Sequence, residues 1–374
     1  MIPLNSNLAT LTRSGIRKFT NLAKSVPDCV MLTIGEPDFD TPEEIKAAAL
    51  TALFQNRTHY APNQGVEALR NEIAVYESFR GFPCTPEQVL ITAGATGALF
   101  TALLGILNPG DEVIIPTPAF SLYETITTIA GGKPVLLDLK ANDFQITAEA
   151  LAAVMTEKTK AIVLNSPHNP TGTVLTSESL AAVRDAVLGK PIFVICDNVY
   201  NRLSDPCPDL SLDQTLANQL FLCQSFSKPY AMTGWRVGYL IGPREIMDRL
   251  LLLHAAEVAA IPTFLQDACI AALSVSPSEM ARTYARRREY VCSRLSSMGL
   301  SYPAPQGAFY VFPDISTFGL SDEEFCTRMI QQAQVAAVPG SCFGCPGHIR
   351  ISYCCSDTDL SKGMDRLEQF LQSL

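Results

Sequence analysis

Lys228 has neighbours that suit covalent chemistry. It lies in the stretch CQSFSKPYAMTGWRVGYLIG, residues 223–242, just after Ser225 and Ser227, and Arg236 follows the only tryptophan of the chain. A lysine beside hydroxyl groups and near a second cation has little use as a surface charge. Its most productive use is as an amine that bonds covalently to an anionic ligand.

A candidate anion site lies between an apolar run and a helix-like segment. Gly94, Ala95 and Thr96 follow the run VLIT (89–92) and lead into TGALFTALLGIL. Small residues at a helix N-terminus leave backbone N–H groups open to an anion, and Thr96 adds a hydroxyl. Glycine-rich turns between strands and helices are common, so this signal needs the support of other residues.

More polar residues follow two other apolar runs. Asp197 comes directly after IFVIC (192–196), and SPHNPTG, with His168 and Asn169, follows AIVLN (161–165). A carboxylate that ends a buried strand is costly unless a charged or protonated partner offsets it. Taken singly, Asp197 is equally consistent with an ion pair, and His168 with a hydrogen-bonded loop histidine in an ordinary Asn-Pro turn.

Pyridoxal phosphate is one ligand that would use these residues together. Its aldehyde needs a primary amine, which Lys228 supplies. Its ring nitrogen needs a carboxylate to stay protonated and accept electrons from a substrate carbanion, and Asp197 fits that need. Tyr200 and Asn169 are placed to hydrogen-bond the phenolic oxygen of the ring, which would keep Lys228 reactive near neutral pH.

The phosphate and the ring face of this cofactor also find partners in the sequence. A phosphate dianion needs a helix N-terminus, hydroxyl groups and a cation. The residues that would supply them are Gly94, Ala95, Thr96, Ser225, Ser227 and Arg236. The ring face needs an aromatic partner, and PTPAFSLYE offers Phe120, with Tyr123 close by.

The elements that must position these residues form an α/β pattern. Seven apolar runs recur along the chain: VLIT (89–92), VIIP (113–116), VLLDL (135–139), AIVLN (161–165), IFVIC (192–196), LFLC (220–223) and VGYLIG (237–242). Several are continuous rather than alternating, which is typical of strands covered on both faces. Helix-like segments lie between them, so we predict a mostly parallel sheet with ligand-binding residues at the carboxyl ends of its strands.

The two ends of the chain read differently and predict a smaller α+β lobe. Thr41, which opens TPEEIKAAALTALF, and Ser321, which opens SDEEFCTRMIQQA, are predicted helix N-caps, and GAFYVFPDI and HIRISY are predicted strands. We expect a small domain made of residues 1–45 and 280–374, and a large domain made of residues 46–279.

Composition excludes several classes of protein. The chain has 374 residues with 47% hydrophobic content and a formal net charge of −9, so it can bury a large core and would repel nucleic acid. It lacks a secretory signal and an apolar run long enough for a membrane helix. Twelve cysteines in such a chain indicate reduced thiols and a cytoplasmic location. We expect no metal site, CFGC (342–345) included.

Taken together, these stretches resemble the class I/II aminotransferases of the fold-type I pyridoxal-phosphate superfamily, over essentially the whole chain. The stretches that carry the resemblance are LTIGEPDFDTP, HYAPNQGVEALR, AGATGAL, SPHNPTG, DNVY, SFSKPYAMTGWRVGY, PQGAFYVFP and HIRISY. The resemblance implies a large lobe with a mixed, mostly parallel seven-stranded sheet between helices, and a small lobe built from both chain ends. It also implies transamination between an amino acid and a 2-oxo acid.

The resemblance assigns roles to individual residues. It makes Lys228 the cofactor lysine and Asp197 the partner of the ring nitrogen, with Phe120 stacked on the ring. It also implies that Tyr60 of HYAPNQG reaches the phosphate of the neighbouring subunit. That role requires a homodimer with composite active sites.

Substrate recognition is also implied by the resemblance. Arg350 would grip the substrate α-carboxylate with help from Asn169 and the backbone of Gly35, because a guanidinium fork suits a carboxylate. Ile16, Arg17 and Tyr123 are candidates to line the side-chain pocket.

The chain looks most like the N-acetyl-diaminopimelate, aromatic and aspartate aminotransferase branch, with 2-oxoglutarate as a typical acceptor. It departs from many relatives at Asn198, where they carry an acidic residue, and in the cysteine-rich stretch before Arg350.

Two alternatives stay open. A carbon–sulfur β-lyase of the same fold would use the same lysine and the same carboxylate grip. A non-catalytic protein that only binds the cofactor is the other, although the acidic charge and the lack of an added N-terminal module disfavour a DNA-binding regulator.

Overall fold

The computed structural model describes residues 5–9, 11 and 15–374 of the chain. Helices and strands alternate through the centre of this part, as the apolar runs predict. The helices are α1 (Ser6–Ala9), α2 (Gly15–Lys24), α3 (Glu43–Phe54), α4 (Glu67–Phe79), α5 (Gly94–Ile106), α6 (Leu122–Ile129), α7 (Ala148–Val154), α8 (Ser177–Val187), α9 (Arg244–Val258), α10 (Thr263–Ser274), α11 (Ser278–Ser297), α12 (Asp322–Arg328) and α13 (Asp357–Gln372). The strands are β1 (Val30–Met31), β2 (Val89–Thr92), β3 (Glu112–Thr117), β4 (Lys133–Asp138), β5 (Thr159–Asn165), β6 (Phe193–Asp197), β7 (Leu220–Ser225), β8 (Gly238–Ile241), β9 (Tyr310–Val311), β10 (Val335–Ala336), β11 (Val338–Pro339) and β12 (Ile349–Ser352).

A seven-stranded sheet forms the centre of the molecule within the described residues, and its strand order is β2-β8-β7-β6-β5-β3-β4. The strand β8 runs antiparallel to both of its neighbours, while the pairs from β7 to β4 are parallel. Each of the seven apolar runs overlaps one of these strands. The predicted mixed, mostly parallel sheet is therefore confirmed.

Apart from the edge strand β4, where Leu136 is exposed, the strands of this sheet are buried on both faces, which explains their continuous apolar sequences. In β6, Val194 and Cys196 pack into one hydrophobic cluster and Ile195 packs into another on the opposite face. Successive strand side chains point to opposite faces, so a strand covered on both sides needs apolar residues at every position. The helices of the central segment supply that cover.

The chain ends meet in a separate apolar cluster. It joins residues of α2, α11, α12 and α13 to two small sheets, one of β1 paired with β10 and one with the order β11-β12-β9. The strand β1 is near the start of the chain and pairs in parallel with β10, so Val30 lies beside Val335. The pairing of β1 with β10 therefore brings the two ends of the chain side by side.

One of the two helix-cap predictions is correct. The side chain of Ser321 accepts the backbone N–H of Glu324 at 3.2 Å and caps α12. Thr41 does not cap α3, which begins after Pro42; its hydroxyl instead donates to the carbonyl of Ala231 at 2.7 Å. The Thr41 hydroxyl is therefore bonded to a residue 190 positions away and not to the N-terminus of α3.

Three further features concern the whole of the described chain. Among residues 5–9, 11 and 15–374, no helix has the length and apolar composition needed to cross a bilayer. The same residues contain no cluster of three or more His, Cys, Asp or Glu side chains arranged to hold a metal ion. All twelve cysteines lie in this part and are free thiols.

Candidate active site

The carboxyl ends of three neighbouring parallel strands bring the predicted polar residues together. Asn165 ends β5, Asp197 ends β6 and Ser225 ends β7. In the sheet register Asn165 lies beside Asp197, and Asp197 lies beside Cys223. Because parallel strands end at the same edge, residues far apart in sequence form one site there.

Lys228 lies in the turn that follows β7. Its Nζ donates a hydrogen bond to the carbonyl oxygen of Gly35 at 2.6 Å, so the amine points toward the first segment of the small lobe. Burial lowers the pKa of Lys228; neighbouring acidic groups act against this shift and two neighbouring arginines add to it. A lysine with a lowered pKa is a better nucleophile and a better proton acceptor near neutral pH.

Asp197 has one satisfied and one unsatisfied carboxylate oxygen. Tyr123 donates its hydroxyl to Oδ2 at 2.7 Å, whereas Oδ1 is buried with no hydrogen-bond partner among the described residues. Burial raises the pKa of Asp197 to about 6, although the bond from Tyr123 and the Val199 N–H work in the other direction. A buried acceptor without a donor is costly, so this oxygen is a candidate to accept a hydrogen bond from an N–H group of a ligand.

An anion cradle forms where α5 begins. Gly94 has a φ of +68°, and a Cβ atom there would lie 2.8 Å from Nη2 of Arg236. A Cβ atom on Gly238 would lie 2.7 Å from the carbonyl carbon of Gly94 and 2.8 Å from the nitrogen of Ala95. Only glycine allows β8, the Arg236 guanidinium and the N-terminal amides of α5 to come this close. Thr96, on the first turn of α5, is exposed.

The two predicted serines lie at the other side of this cradle. Ser225 and Ser227 are both buried, and the hydroxyl oxygen of Ser225 accepts the backbone N–H of Ser227 at 3.0 Å. Arg236 has a φ of +55° and donates from Nη1 to the carbonyl of Thr233 at 3.0 Å. The sheet register places Ser225 beside Gly238, so the serines lie near the first amides of α5 and the Arg236 guanidinium.

Arg350 is buried and held in a fixed orientation. Its Nη1 donates to Oδ1 of Asn169 at 2.8 Å and its Nη2 donates to the carbonyl of Thr33 at 2.6 Å. The guanidinium lies over the rings of Tyr310 and Phe343, with 4.5 and 4.9 Å to their centroids, and its Nε has no partner among the described residues. A buried cation of this kind suits a carboxylate ligand.

Tyr200 and Gly35 meet at a residue that the sequence reasoning did not single out. The hydroxyl of Tyr310 lies 3.1 Å from the hydroxyl of Tyr200, and a Cβ atom on Gly35 would overlap the Tyr310 hydroxyl. Tyr310 is the tyrosine of the motif PQGAFYVFP and the first residue of β9. The motif therefore pointed to this part of the chain, but the sequence alone gave Tyr310 no role.

The remaining predicted residues are more scattered. Phe120 is half-buried and packs edge-on against Tyr123, with 6.1 Å between the ring centroids. Tyr60 is 93% exposed. Ile16 packs against the core of the central sheet and Arg17, on α2, is exposed.

Tyr123, the third candidate for the side-chain pocket, contacts the acid of the site. It is buried and its hydroxyl is bound to Asp197. Tyr123 lies in the first turn of α6, and its side chain points inward to Asp197 at the end of β6. Asn198, the departure noted in DNVY, donates from Nδ2 to both carboxylate oxygens of Asp209, at 3.0 and 2.8 Å.

The three features required for pyridoxal phosphate are therefore present in one region. They are an amine with a lowered pKa on Lys228, a buried carboxylate oxygen on Asp197 that lacks a donor, and a cradle of amides, hydroxyls and the Arg236 guanidinium. Their donor and acceptor types match the aldehyde, the ring nitrogen and the phosphate of that cofactor.

Comparison with known proteins gives a consistent picture. Residues 27–367 match the family described as aminotransferase class I and II. The chain is 39% identical to a probable N-acetyl-LL-diaminopimelate aminotransferase of Bacillus subtilis (strain 168), covering 98% of this chain and 95% of that protein. It is 37% identical to an aromatic-amino-acid aminotransferase of Thermococcus litoralis, covering 99% of this chain and 98% of that protein.

Solved structures agree with these relatives. An aspartate aminotransferase from Thermotoga maritima superposes with a TM-score of 0.95 at 33% identity, covering 99% of this chain and all of the other. Similarity of this extent covers both lobes and the strand ends that carry the site. The chain therefore belongs to the class I and II aminotransferases, enzymes that use pyridoxal phosphate to transfer amino groups.

Proposed function

We propose that this aminotransferase moves the amino group of an L-amino acid of the aromatic, aspartate or N-acetyl-diaminopimelate type to a 2-oxo acid such as 2-oxoglutarate, with Lys228 as the residue that holds the cofactor. The observation that carries the proposal is that the buried Lys228 amine, the unpaired Oδ1 of Asp197 and the glycine-lined cradle all lie at the carboxyl edge of the central sheet. The names of the relatives support the three amino-donor types.

Asp197 and its neighbours would hold the ring of the cofactor. Pyridoxal phosphate, when bound, withdraws electrons from the substrate α-carbon and so stabilises negative charge there. Oδ1 of Asp197 would accept the ring N–H, Phe120 would cover the ring face, and Tyr200 with Asn169 would hydrogen-bond the phenolic oxygen. Tyr123 would keep the Asp197 carboxylate in place from the other side.

Lys228 would have two tasks. It would bind the cofactor covalently until an amino acid displaces it, and its freed Nζ would then take the proton from the substrate α-carbon. The lowered pKa supports the second task, because a general base works best when its pKa lies near the operating pH. The carbonyl of Gly35 would guide the amine by accepting its hydrogen bond.

The cradle would hold the phosphate. Backbone amides at the start of α5, with the Thr96 hydroxyl, would face the dianion from one side. Ser225, Ser227 and Arg236 would face it from the other. The close approach of Gly94 and Gly238 supports this arrangement, since any larger residue would push the cradle apart.

A second copy of the chain would complete the site. Tyr60 of the partner subunit would reach the phosphate, as the family resemblance implies. Its 93% exposure supports an intermolecular role, and α3, just before it, exposes Leu50, Leu53 and Phe54. Contiguous apolar patches on a protein surface mark interaction sites. We therefore propose a homodimer with composite active sites.

Arg350 would bind the α-carboxylate that all amino-acid substrates share. The guanidinium lies between two aromatic rings and is steered by Asn169, so a carboxylate would meet a preset fork. The backbone of Gly35 would add a further contact. Side-chain selectivity would come from the region near Ile16 and Arg17 at the start of α2.

We also propose the domain boundaries and the compartment. The small domain would comprise residues 1–45 and 280–374 and the large domain residues 46–279. The separate apolar cluster formed by the chain ends supports this division. Twelve free thiols support a reducing compartment such as the cytoplasm.

Single half-reactions would test the proposal. The purified enzyme loaded with pyridoxal phosphate is mixed with one amino acid at a time, including aspartate, aromatic amino acids and acylated diaminopimelate, and the cofactor absorbance is followed. We expect conversion with one of these donors and recovery on adding 2-oxoglutarate. Release of pyruvate and ammonia from cysteine-type substrates, without 2-oxo-acid dependence, would instead indicate the β-lyase, for which the comparisons give no support.

A further inference from the structure

A buried ionic cluster lies next to the candidate site and has no part in the functions described so far. Glu77 is on α4 and Arg202 is in the loop after β6, and their side chains are 3% and 2% exposed. Nη2 of Arg202 lies 3.3 Å from Oε1 of Glu77, and the ring of Tyr76 stacks on the guanidinium with 4.1 Å to the centroid. Burying two charges is costly unless further hydrogen bonds compensate.

Two tyrosines provide those hydrogen bonds. Arg202 donates from Nη1 to the hydroxyl of Tyr230 at 2.8 Å and from Nη2 to the hydroxyl of Tyr239 at 2.9 Å. The Tyr239 hydroxyl in turn donates to Glu77. The cluster therefore links helix α4, the loop after β6, strand β8 and the turn that carries Lys228. Hydrogen-bonded charge networks of this kind hold their members in one arrangement.

The positions of these residues in the sequence show what the cluster can control. Tyr230 comes two residues after Lys228, and Arg202 comes two residues after Tyr200 and five after Asp197. The bond between Arg202 and Tyr230 thus crosses from the segment that carries the acid to the turn that carries the amine. It is a direct side-chain tie between these two parts of the active site.

The hydrogen bond between Arg202 and Tyr230 holds the middle of the turn that carries Lys228. The turn is held at its two ends, where Phe226 donates to the carbonyl of Val237 at 3.2 Å and Met232 donates to the carbonyl of Ser227 at 3.0 Å. Tyr230 lies between these points and stacks on Phe226, with 5.9 Å between the ring centroids. A small displacement of a catalytic group is enough to slow a reaction strongly, so a fixed anchor in mid-turn has a direct effect on the amine.

We propose that Arg202 is a positioning residue: anchored by Glu77, it fixes through Tyr230 where the Lys228 amine lies relative to Asp197 and Tyr200. The inference rests on the proposed role of Lys228. The same cluster also stabilises the fold, so the test must separate placement of the amine from stability.

Two phenol-to-phenyl changes give a matched comparison. Tyr230→Phe and Tyr239→Phe each remove one hydroxyl that accepts from Arg202, but only Tyr230 lies in the turn of Lys228. We expect Tyr230→Phe to lower kcat roughly tenfold with less than about a threefold change in KM, as expected for a displaced reacting group. We expect Tyr239→Phe to keep kcat within about threefold of wild type even if its melting temperature falls further, because its own strand does not carry the amine.

A spectroscopic readout removes the remaining ambiguity. The absorbance of pyridoxal phosphate bound to Lys228 changes with pH, and the midpoint depends on the groups that surround Nζ. We expect this midpoint to move in Tyr230→Phe and to stay in place in Tyr239→Phe. Equal midpoints and equal kcat values in the two variants would overturn the proposal.

Arg202 itself is tested by removing both charges at once. Arg202→Met alone would remove the buried cation beside Glu77 and leave that carboxylate with only the Tyr239 hydroxyl and the partly exposed Arg80, which is destabilising. Glu77→Met with Arg202→Met removes both buried charges. We expect this double variant to fold, to bind the cofactor and to show the shifted midpoint and lowered kcat of Tyr230→Phe. Wild-type values for both quantities would show that the cluster serves stability only.

Failure of the inference differs from failure of the proposed function. Borohydride reduction of the holoenzyme followed by peptide mass analysis reports whether Lys228 carries the cofactor. If it does not, the proposed role of Lys228 is wrong and the inference falls with it. If it does, and Tyr230→Phe behaves like Tyr239→Phe, only the role of Arg202 is wrong.

Discussion

Tyr123 and Asp197 form a buried pair in which the hydroxyl of Tyr123 donates to Oδ2 of the carboxylate at 2.7 Å, and this leaves Oδ1 without a partner among the described residues. The two residues are 74 positions apart, one on α6 and one at the end of β6. The pair divides the carboxylate into an oxygen fixed by the protein and an oxygen that is left for a ligand.

Replacing Tyr123 should weaken cofactor binding, and more so at low pH. Tyr123→Phe removes a hydrogen bond that lowers the pKa of Asp197, so the carboxyl keeps its proton to a higher pH than the present value of about 6. A hydrogen bond to a charged group contributes about 1.5–3 kcal/mol. Its loss predicts that the dissociation constant for pyridoxal phosphate rises roughly tenfold to hundredfold.

Titration of the apoenzyme with pyridoxal phosphate at pH 5.5 and pH 8 measures this effect. Tyr302→Phe is the control, because its hydroxyl donates to the carbonyl of Cys292 on another part of the surface. Equal dissociation constants for wild type and Tyr123→Phe at both pH values would contradict the prediction.

Asp197 should make the stability of the apoenzyme fall as pH rises. Its pKa is about 6 in the folded protein and 3.8 as the ordinary value, so the folded state binds more protons between those pH values. The stability contributed by the protonated carboxyl is complete below about pH 4 and is lost as pH rises through about 6.

Asp197→Asn should therefore stabilise the apoenzyme at pH 8 relative to wild type, by about 3 kcal/mol from a shift of roughly two pH units, with little difference at pH 4. Thermal melting of both apoproteins across this range provides the measurement. A variant that melts below wild type at pH 8 would show that Asp197 is paired in the apoenzyme. The holoenzyme should behave in the opposite way, because the amide cannot pair with a ring N–H as a carboxylate does.

Removing the Lys228 amine should abolish transamination. Lys228→Ala loses both the covalent attachment and the general base, and a general base alone contributes about 10²–10⁴ to a rate. The rate of amino transfer between the best donor and 2-oxoglutarate measures the loss, and Lys190→Ala, an exposed lysine, is the control. Survival of a near wild-type rate would show that another residue carries this chemistry.

Arg350→Lys should raise KM for amino donors far more than it lowers kcat. The guanidinium offers a planar fork set by Asn169 and the carbonyl of Thr33, whereas an ammonium offers a point charge. We expect KM to rise roughly tenfold to hundredfold, because the lost interaction is made in the ground state as well as in the transition state. Arg294→Lys, in a partly exposed ion-pair group on α11, should change neither constant. An unchanged KM in Arg350→Lys would place the α-carboxylate elsewhere.

Gly94→Ala should weaken phosphate binding through a clash and not through backbone strain alone. Its φ of +68° is strained for alanine, and the added Cβ would lie 2.8 Å from the Arg236 guanidinium. Gly189→Ala is a matched control, because Gly189 has a φ of +73° and no atom within 4 Å of an added Cβ. Both variants should lose about 1 kcal/mol or more of stability from the strained backbone.

Only Gly94→Ala should also raise the dissociation constant for pyridoxal phosphate, and titration of the two apoenzymes gives that comparison. If Gly189→Ala weakens binding equally, the effect of Gly94 is one of global stability, and the cradle is not the cause.

Much of the architecture could be read from the order of the residues. The seven apolar runs predicted the seven strands because a strand covered on both faces must be apolar at each position, and that requirement is local. Ser321 was a correct cap for α12 for the same reason, since the residue and the N–H it accepts are three positions apart. Lys228, Asp197 and Gly94 were found because they follow strands, and parallel strands end at one edge.

The sequence by itself thus determined the fold class and which residues stand at the strand ends. Only the tertiary structure decided that Tyr123 binds Asp197, that Thr41 donates to the carbonyl of Ala231, and that Arg202 joins Tyr230 to Glu77. Each of these contacts joins residues that are many positions apart, and its free energy depends on how closely helices and loops pack in three dimensions. Local patterns record what each segment must bury, but they do not record which distant side chain will satisfy a given donor or acceptor.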